Sequence, residues 1–191
     1  MIRGSIVALV TPMLPDGRID FAALRSLLDW HAGAGTGAVV AVGTTGESAT
    51  LNVDEHLEVI RACRDHLGGR IPLIAGTGAN STQEAIELTR RAADLGVDAC
   101  LLVTPYYNRP TQRGLYEHFR TVAEAVSVPQ ILYNVPSRTA VDLDNATTLR
   151  LAGIDNIVGI KDATGDLARG RALIDATPDG FAVYPGDDGQ A

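Results

Sequence analysis

The chain has 191 residues, which is enough for one sizeable hydrophobic core and short for two. Hydrophobic residues make up 46% and charged residues 20%, and 16 Lys and Arg stand against 23 Asp and Glu, for a net charge of -7. With no basic run and no apolar run of membrane-spanning length, this globular composition argues against a nucleic-acid partner and against a membrane protein.

Short apolar runs alternate with longer amphipathic stretches along the chain. The first run is too short for the apolar region of a signal peptide, so we expect a cytoplasmic protein. Little polar alternation within the runs is typical of parallel strands that are buried on both faces. The runs predict seven strands, at 6–11, 38–42, 71–75, 99–103, 130–134, 157–161 and 181–184.

Helix signals fill the intervals between the predicted strands. Phe21, Leu24 and Leu28 share one helical face. Asn52 and Ser81 each stand three residues before a glutamate, which predicts two capping boxes. The resulting order of seven strands and six helices predicts a parallel sheet with right-handed crossovers.

Polar residues follow five of the predicted strands at their C-terminal ends. An open doubly wound sheet concentrates its ligand site at one switch point, whereas a barrel gathers side chains from many strands onto one face. The spread therefore favours a TIM barrel. No linker or low-complexity stretch divides the chain, so we expect a single domain over residues 1–191. The residues concerned are Thr44, Thr45, Tyr106, Tyr107, Tyr133, Arg138, Lys161, Gly186 and Asp187.

Lys161 closes the apolar run that begins at Ile157. It is either a strand-end side chain that reaches solvent or an amine held in an apolar interior. In the second case desolvation lowers the pKa of the amine toward neutrality, and a neutral amine can attack a ketone to form a Schiff base. This intermediate supports aldol-type chemistry without a metal or cofactor, and the sequence contains no metal or nucleotide motif.

Two tyrosines are candidate proton carriers for this chemistry. Tyr133 lies at the C-terminal end of the fifth predicted strand, and Tyr107 lies in the loop after the fourth. A single tyrosine usually only packs its ring, but both of these fall on the face that carries Lys161. Arg138 is either a solvated arginine or a fork for a carboxylate.

The turn at residues 43–47, Gly-Thr-Thr-Gly-Glu, resembles a phosphate-binding loop only superficially. A Walker loop needs a lysine after the second glycine, and the glycines at Gly76 and Gly78 complete only half of a Rossmann fingerprint. The backbone N–H groups and two hydroxyls of the turn suit a small carboxylate instead.

Cysteine and histidine give no sign of a metal site. Cys63 and Cys100 lack metal-site spacing, which predicts two buried free thiols. The four histidines are scattered, so each is expected to be solvated or hydrogen-bonded.

Four motifs together resemble the dihydrodipicolinate synthase branch of the pyruvate-dependent, N-acetylneuraminate-lyase-like aldolases. They are GTTGE (43–47), TPYYNRP (104–110), YNVPSRT (133–139) and GIKDATGD (159–166), in this order. The resemblance extends from Gly4 to Asp188. It implies a (β/α)8 barrel that is C-terminally truncated here, without the eighth βα unit and the C-terminal helical region.

The same resemblance implies an activity and its catalytic residues. The enzyme would condense pyruvate with L-aspartate 4-semialdehyde to 4-hydroxy-tetrahydrodipicolinate, in diaminopimelate and lysine biosynthesis. Lys161 would bind pyruvate covalently as a Schiff base, with no cofactor and no metal. Tyr133 would donate and accept protons, and Thr44 would link it to Tyr107 in a relay.

Further residues receive substrate-binding roles from the resemblance. Thr45 would hold the pyruvate carboxylate, Arg138 would anchor the carboxylate of the semialdehyde, and Gly186 would line the pocket. The family supplies the Tyr107 position from the neighbouring subunit, which implies a homodimer or homotetramer.

Some family members are inhibited by lysine at a subunit interface. Val53 departs from the pattern of lysine-sensitive members, and Glu84 is also expected to serve the capping box of Ser81, so both interpretations stand. The positions that match the lysine site are Ser48, Ala49, His56, Asn80, Glu84 and Tyr106.

Two alternatives to the synthase remain at this stage. One is a pyruvate-dependent aldolase or lyase that acts on keto-sugar acids, against which Arg138 argues as a second carboxylate anchor. The other is an inactive truncated chain that associates with other chains through open strand edges.

Overall fold

Seven short strands alternate with helices in a computed structural model that describes residues 2–187 and 189. The strands are β1 (Ile6–Ala8), β2 (Ala38–Ala41), β3 (Leu73–Gly76), β4 (Ala99–Val103), β5 (Gln130–Asn134), β6 (Ile157–Asp162) and β7 (Ala182–Pro185). The helices are α1 (Phe21–Gly33), α2 (Val53–Leu67), α3 (Thr82–Asp94), α4 (Gln112–Ala125), α5 (Pro136–Thr139), α6 (Asn145–Leu151) and α7 (Leu167–Ala176).

The order of the strands in the sheet is their order in the chain, from β1 to β7. A doubly wound sheet reverses its strand order at a switch point, whereas a barrel adds each strand beside the previous one. The predicted barrel topology is therefore confirmed, with seven strands among the described residues against eight in a complete (β/α)8 barrel. The prediction of one catalytic domain over 1–191 stays a prediction.

The chain divides into two compact units. The first unit comprises 2–77 and 91–100, and the second comprises 78–90 and 101–187. In the first unit, β1, β2 and β3 pair in parallel, and every residue of β2 and β3 is buried, as expected for strands covered on both faces. Leu28 of α1 and Ile60 of α2 are fully buried.

Helix α2 begins as the sequence predicted. The Asn52 side chain accepts hydrogen bonds from the N–H groups of Asp54 and Glu55, each at 3.0 Å, and Glu55 Oε2 accepts from Asn52 N at 3.0 Å. The helix ends at Leu67 and is capped by Gly68. The φ of Gly68 is 54°, in the left-handed region, which glycine adopts at little energetic cost. For the second predicted box, Ser81 Oγ accepts from Glu84 N at 3.4 Å.

In the second unit, β5, β6 and β7 form parallel ladders. Every residue of β5 is buried. Phe119 and Leu115 of α4 and Leu132 of β5 are among its fully buried side chains. The backbone N–H of Thr104, just beyond β4, donates to Tyr133 O at 2.9 Å.

Two predictions about the elements need correction. The described residues contain seven helices instead of six, because the short helix α5 forms directly after β5, with Pro136 in its first turn and Ala140 in the left-handed region at its end. Strand β1 ends at Ala8 although its apolar run continues, and the run stops at Pro12, which has no N–H for a ladder.

Candidate active site

Tyr133 and Lys161 lie side by side at the ends of β5 and β6. They are register partners in the parallel ladder, and the Lys161 amine nitrogen is 4.6 Å from the centroid of the Tyr133 ring. Tyr133 is 7% exposed, and Lys161 is half-buried between the buried Ile160 and Asp162. The aromatic face therefore supports a positive charge on this nitrogen.

The environment of Lys161 is intermediate between the two alternatives that the sequence left for it. The side chain is neither fully solvated nor enclosed in an apolar interior, because one side of it is covered by an aromatic ring. The predicted fall in its pKa stays a prediction. Lys161 is also the only lysine in the sequence, since all the other basic side chains counted with it are arginines.

Tyr184 lies on the other side of Lys161 from Tyr133, and the sequence analysis did not single it out. It is the register partner of Lys161 on β7, so its side chain leaves the sheet on the same face. Tyr184 is half-buried, and burial raises the pKa of its phenol. Its position at the end of the seventh predicted strand, two residues before Gly186, was the available signal.

Arg138 lies on the exposed side of α5. Its backbone N–H donates to Val135 O at 2.9 Å, and its side chain is exposed. The neighbouring Thr139 is buried, where its hydroxyl contacts the carbonyl oxygens of Val135 and Val141 and the hydroxyl of Thr104. A buried polar network thus fixes the turn, while the guanidinium remains available to a ligand.

Asn134 and Arg169 organise the segment that follows this turn. The Asn134 side chain is fully buried and bonds Asp142 and Leu143, which lie eight and nine residues further along the chain. Arg169, from α7, contacts the same two residues. Sequence reasoning missed this cluster because its members share no local pattern.

Gly186 follows β7 in a position that excludes a side chain. Its N–H donates to Asp162 O at 2.7 Å, and an added Cβ would lie 2.6 Å from the Cβ of Ala163. The glycine thus allows the chain after β7 to approach the end of β6. Its predicted role in lining a substrate pocket stays a prediction.

Thr44 and Thr45 lie in the first unit, in the turn after β2. Both are exposed, and the glycines on either side of them are buried. Gly46 is required for packing, since an added Cβ would lie 3.0 Å from Leu9 O and 3.1 Å from Val42 Cα. The turn closes with Glu47 N donating to Thr44 O at 3.1 Å. The carboxylate and relay roles of the two threonines stay predictions.

Tyr107 extends into solvent from the loop after β4. It is 90% exposed and has a φ of 71°, which is rare for a residue with a side chain. Asn108 N donates to Tyr106 O at 2.8 Å, and Asn108 Nδ2 donates to Asn80 O at 3.1 Å. The loop thus holds Tyr107 in a strained conformation, away from the core of its own unit.

The residues that match a lysine site are distributed over both units. In the second, Asn80 Nδ2 donates to Tyr106 O at 3.3 Å, and Glu84 is exposed. In the first, His56 is buried with its Nε2 2.8 Å from Gly76 O, and burial lowers the pKa of this imidazole. Ser48 and Ala49 lie in the turn that follows β2. Their role in lysine binding stays a prediction.

The cysteines were expected to be buried free thiols, and the histidines to be solvated or hydrogen-bonded. Cys63 and Cys100 are buried and free, and burial raises the pKa of each thiol to about 12. His118 is a correction to the expectation for histidines. It is buried with Nδ1 2.8 Å from Thr82 Oγ1, but its Nε2 has no hydrogen-bond partner within the described part of the chain.

No group of three or more His, Cys, Asp and Glu side chains in 2–187 and 189 is arranged to hold a metal ion. No helix over the same residues is both long and apolar enough to cross a bilayer.

The family model for the dihydrodipicolinate synthetase family matches residues 1–191. The 4-hydroxy-tetrahydrodipicolinate synthase of Ruthia magnifica subsp. Calyptogena magnifica is 64% identical over 190 residues, which are 100% of this chain and 64% of the relative. That of Cellvibrio japonicus is 63% identical over 191 residues, 100% of this chain and 66% of the relative. The chain thus spans slightly less than two thirds of the length of these relatives.

Solved structures agree with the sequence comparisons. Dihydrodipicolinate synthase from Acinetobacter baumannii, described as chloride-inhibited and complexed with pyruvate, matches with a TM-score of 0.97 and 63% identity, over 98% of this chain and 65% of that one. The enzyme from Aquifex aeolicus matches with a TM-score of 0.94 and 48% identity, over 97% and 63% of the two chains.

Proposed function

Because the chain belongs to the dihydrodipicolinate synthetase family, we propose that it carries the Schiff-base site of a lyase that condenses pyruvate with L-aspartate 4-semialdehyde. The product is 4-hydroxy-tetrahydrodipicolinate, an intermediate of diaminopimelate and lysine biosynthesis. The observation that carries the proposal is the Lys161 amine over the face of the Tyr133 ring at the ends of neighbouring strands.

Lys161 is the nucleophile in this proposal. Its amine nitrogen adds to the ketone carbon of pyruvate, and loss of water from the carbinolamine leaves a positively charged iminium. The nitrogen is cationic as an ammonium and again as an iminium. The ring face of Tyr133 supports the charge of the iminium, whereas the attacking amine first has to lose the ammonium proton.

The iminium makes the methyl group of pyruvate acidic. Loss of one methyl proton gives an enamine, whose terminal carbon attacks the aldehyde carbon of the semialdehyde to form the new C–C bond. The resulting alkoxide takes up a proton. The amino group of the condensed semialdehyde then attacks the iminium carbon, and the ring closes as the Lys161 amine leaves. We assign these proton transfers to the Tyr133 hydroxyl, because Tyr133 flanks Lys161 on the neighbouring strand and general acid–base groups act at hydrogen-bond range.

Arg138 is proposed to bind the carboxylate of the second substrate. The guanidinium is exposed on α5, which begins three residues after Tyr133 and is fixed by buried hydrogen bonds. A planar fork of N–H donors matches a carboxylate. A keto-sugar acid offers hydroxyl groups at its reacting end, so turnover of such acids in place of the semialdehyde would favour the lyase alternative.

The proposal extends to assembly and location. Tyr107 is 90% exposed in a strained conformation, which suits a residue that enters the site of a neighbouring subunit in a homodimer or homotetramer. The pathway and the composition of the chain suit a cytoplasmic enzyme. Pyruvate itself is the covalently bound group, and the proposal needs no further cofactor.

Borohydride reduction in the presence of pyruvate tests the proposal. The reduced adduct adds a pyruvate-derived mass, and because Lys161 is the only lysine in the sequence, peptide mapping has one side-chain amine to consider besides the N-terminus. The matched control is Lys161→Met, which should take up no label at this peptide. A folded protein that forms no adduct at Lys161 would contradict the proposal.

A further inference from the structure

Asn134 closes the loop that carries Arg138. It is the last residue of β5, follows Tyr133 directly and is fully buried. Its Nδ2 donates to Asp142 Oδ1 at 2.8 Å and to Leu143 O at 3.3 Å, and its Oδ1 accepts from Leu143 N at 3.0 Å. One amide side chain thus ties the end of the loop back to its beginning.

Arg169 binds the same end of the loop from helix α7. Its Nη1 donates to Asp142 Oδ2 at 2.6 Å, its Nη2 donates to Leu143 O, and its Nε donates to Asn145 Oδ1 at 3.2 Å. Asn145 returns a hydrogen bond to Arg169 O at 3.1 Å. All three nitrogens of the guanidinium are therefore used on the segment after α5.

The segment that joins β6 to Arg169 is itself held in place. Ala163 N donates to Asn134 O at 2.9 Å, which joins the end of β6 to the end of β5. The N-terminal cap of α7 is Asp166, whose Oδ1 accepts from Arg169 N at 3.0 Å. A closed ring of contacts thus runs from the Lys161 strand through Arg169 and the loop to the Tyr133 strand.

We propose that Arg169, Asp142 and Asn134 are positioning residues that hold the Arg138 turn in place for the second substrate. The inference rests on the proposed function, in which Arg138 binds the carboxylate of the semialdehyde. Arg138 is exposed on a segment of eight residues, 135–142, and the closure by Asn134 fixes the two ends of this segment against each other. Binding is strongest when such ordering is complete before the ligand arrives.

The ion pair between Arg169 and Asp142 suits a positioning role better than a stabilising one. The side chain of Asp142 is 46% exposed and that of Arg169 is 20% exposed, so their ion pair is screened by solvent and contributes only about 0–1 kcal/mol to folding. A displacement of about 1 Å at a substrate-binding group can, by contrast, cost about 100-fold in rate. Loss of the Arg169–Asp142 pair alone should therefore affect the semialdehyde step much more than stability.

The experiment compares Arg169→Met with Arg171→Met in the full protein that the gene encodes. Arg171 lies on the same helix and is 77% exposed, and it pairs with Asp175 at 3.1 Å. We expect Arg169→Met to form the pyruvate adduct within about twofold of the wild-type rate and to lose about tenfold or more in kcat/KM for the semialdehyde. Arg171→Met should match the wild type in both.

Asp142→Asn provides a second variant if Arg169→Met does not fold. It keeps the shape of the side chain and an oxygen for Asn134 Nδ2, but it removes the negative charge that faces Arg169. Arg169→Lys should rescue part of the activity, because one donor can still reach Asp142. This partial rescue is not expected from a role in folding alone.

The outcomes separate the two proposals. If Arg169→Met loses equally in adduct formation and in semialdehyde turnover, the positioning role is overturned. It is also overturned if Arg169→Met and Arg171→Met turn over the semialdehyde with the same kinetics. Neither result would contradict the proposed synthase activity. A wild-type protein that forms no adduct with pyruvate would overturn the proposed function, and with it the inference that depends on it.

Discussion

The amine nitrogen of Lys161 lies over the face of the Tyr133 ring, 4.6 Å from its centroid, and the two residues are partners in the β5–β6 ladder. One side chain therefore brings two separable groups to the lysine. The ring face stabilises positive charge on nitrogen, and the hydroxyl can carry a proton. Substitutions at this position can remove either the hydroxyl alone or both groups.

Tyr133→Phe removes the hydroxyl and keeps the ring. Because a general acid–base group contributes about 100-fold to 10⁴-fold, we expect turnover to fall by about 100-fold or more. The pyruvate adduct should still form on long incubation, as measured by mass spectrometry after borohydride reduction. Tyr133→Leu, the matched variant without a ring, should also lower the adduct yield. Wild-type turnover in Tyr133→Phe would exclude the hydroxyl from the reaction.

Arg138→Lys keeps the charge of the turn but loses the planar fork. A hydrogen bond to a charged group contributes about 1.5–3 kcal/mol, so the KM for the semialdehyde should rise by about tenfold or more. The KM for pyruvate should change little. Arg113→Lys, an exposed position on α4, serves as the control in steady-state kinetics. A rise confined to the pyruvate KM would argue against Arg138 as the semialdehyde anchor.

His118 makes stability depend on pH. Burial lowers the pKa of this imidazole to about 4, against a reference value near 6.5. Between these values the unfolded chain binds a proton that the folded chain does not, so stability falls as the pH drops from about 6.5 to about 4. The full loss for this difference in pKa is about 3 kcal/mol.

Urea denaturation across that pH range checks the assignment. His118→Gln should flatten the dependence of the free energy of unfolding between pH 6.5 and 4. Thr82→Val removes the hydroxyl 2.8 Å from His118 Nδ1 and should lower stability by about 1 kcal/mol. The fall in the free energy of unfolding between pH 6.5 and 4 should remain in this variant. An unchanged slope in His118→Gln would assign the acid sensitivity to other groups.

Gly186→Ala should destabilise the strand ends. The new Cβ would meet the Cβ of Ala163 at 2.6 Å and Asp162 O at 3.1 Å, so backbone has to move, and the expected cost is about 1–3 kcal/mol. Gly170→Ala is the control on helix α7, where nothing lies within 4 Å of an added Cβ. It should raise stability by up to about 1 kcal/mol. Thermal denaturation measures the stability of both variants. Equal changes in stability would contradict the predicted clash at Gly186.

The two thiols should be unreactive in the folded protein. Burial raises the pKa of Cys63 and of Cys100 to about 12, so little thiolate exists at pH 8, and both side chains are closed to solvent. Iodoacetamide at pH 8 should label neither cysteine in buffer and both in concentrated urea, as counted by mass spectrometry. Rapid labelling of either thiol in buffer would show that its environment opens.

Most of the fold could be predicted from local sequence patterns. Apolar runs marked all seven strands, because parallel strands covered on both faces leave no polar alternation. The Asn52 box marked the start of α2 through contacts within three residues. Helix α5 was not predicted, because a helix of four residues is too short to show a helical period of apolar residues.

The residues of the candidate site also fall into those that the sequence predicted and those that it did not. Lys161 and Tyr133 were predicted because each is a polar residue that ends an apolar run, and both positions are visible in one strand at a time. Tyr184 and the Arg169 network were not, because their importance depends on partners in other elements. Arg169 and Asp142 are 27 residues apart, and no sequence period connects them.

The sequence by itself determined which seven segments contain a strand, where the capped helix begins, and that the chain belongs among the pyruvate-dependent aldolases, because hydrophobic period, capping and motif are local properties. Only the tertiary structure decided that Lys161 lies against an aromatic ring between Tyr133 and Tyr184, and that the loop of Arg138 is closed by Asn134 and Arg169. Those relationships depend on the register of neighbouring strands and on contacts across the fold. Register is set by packing and hydrogen bonding between strands, which no single segment encodes.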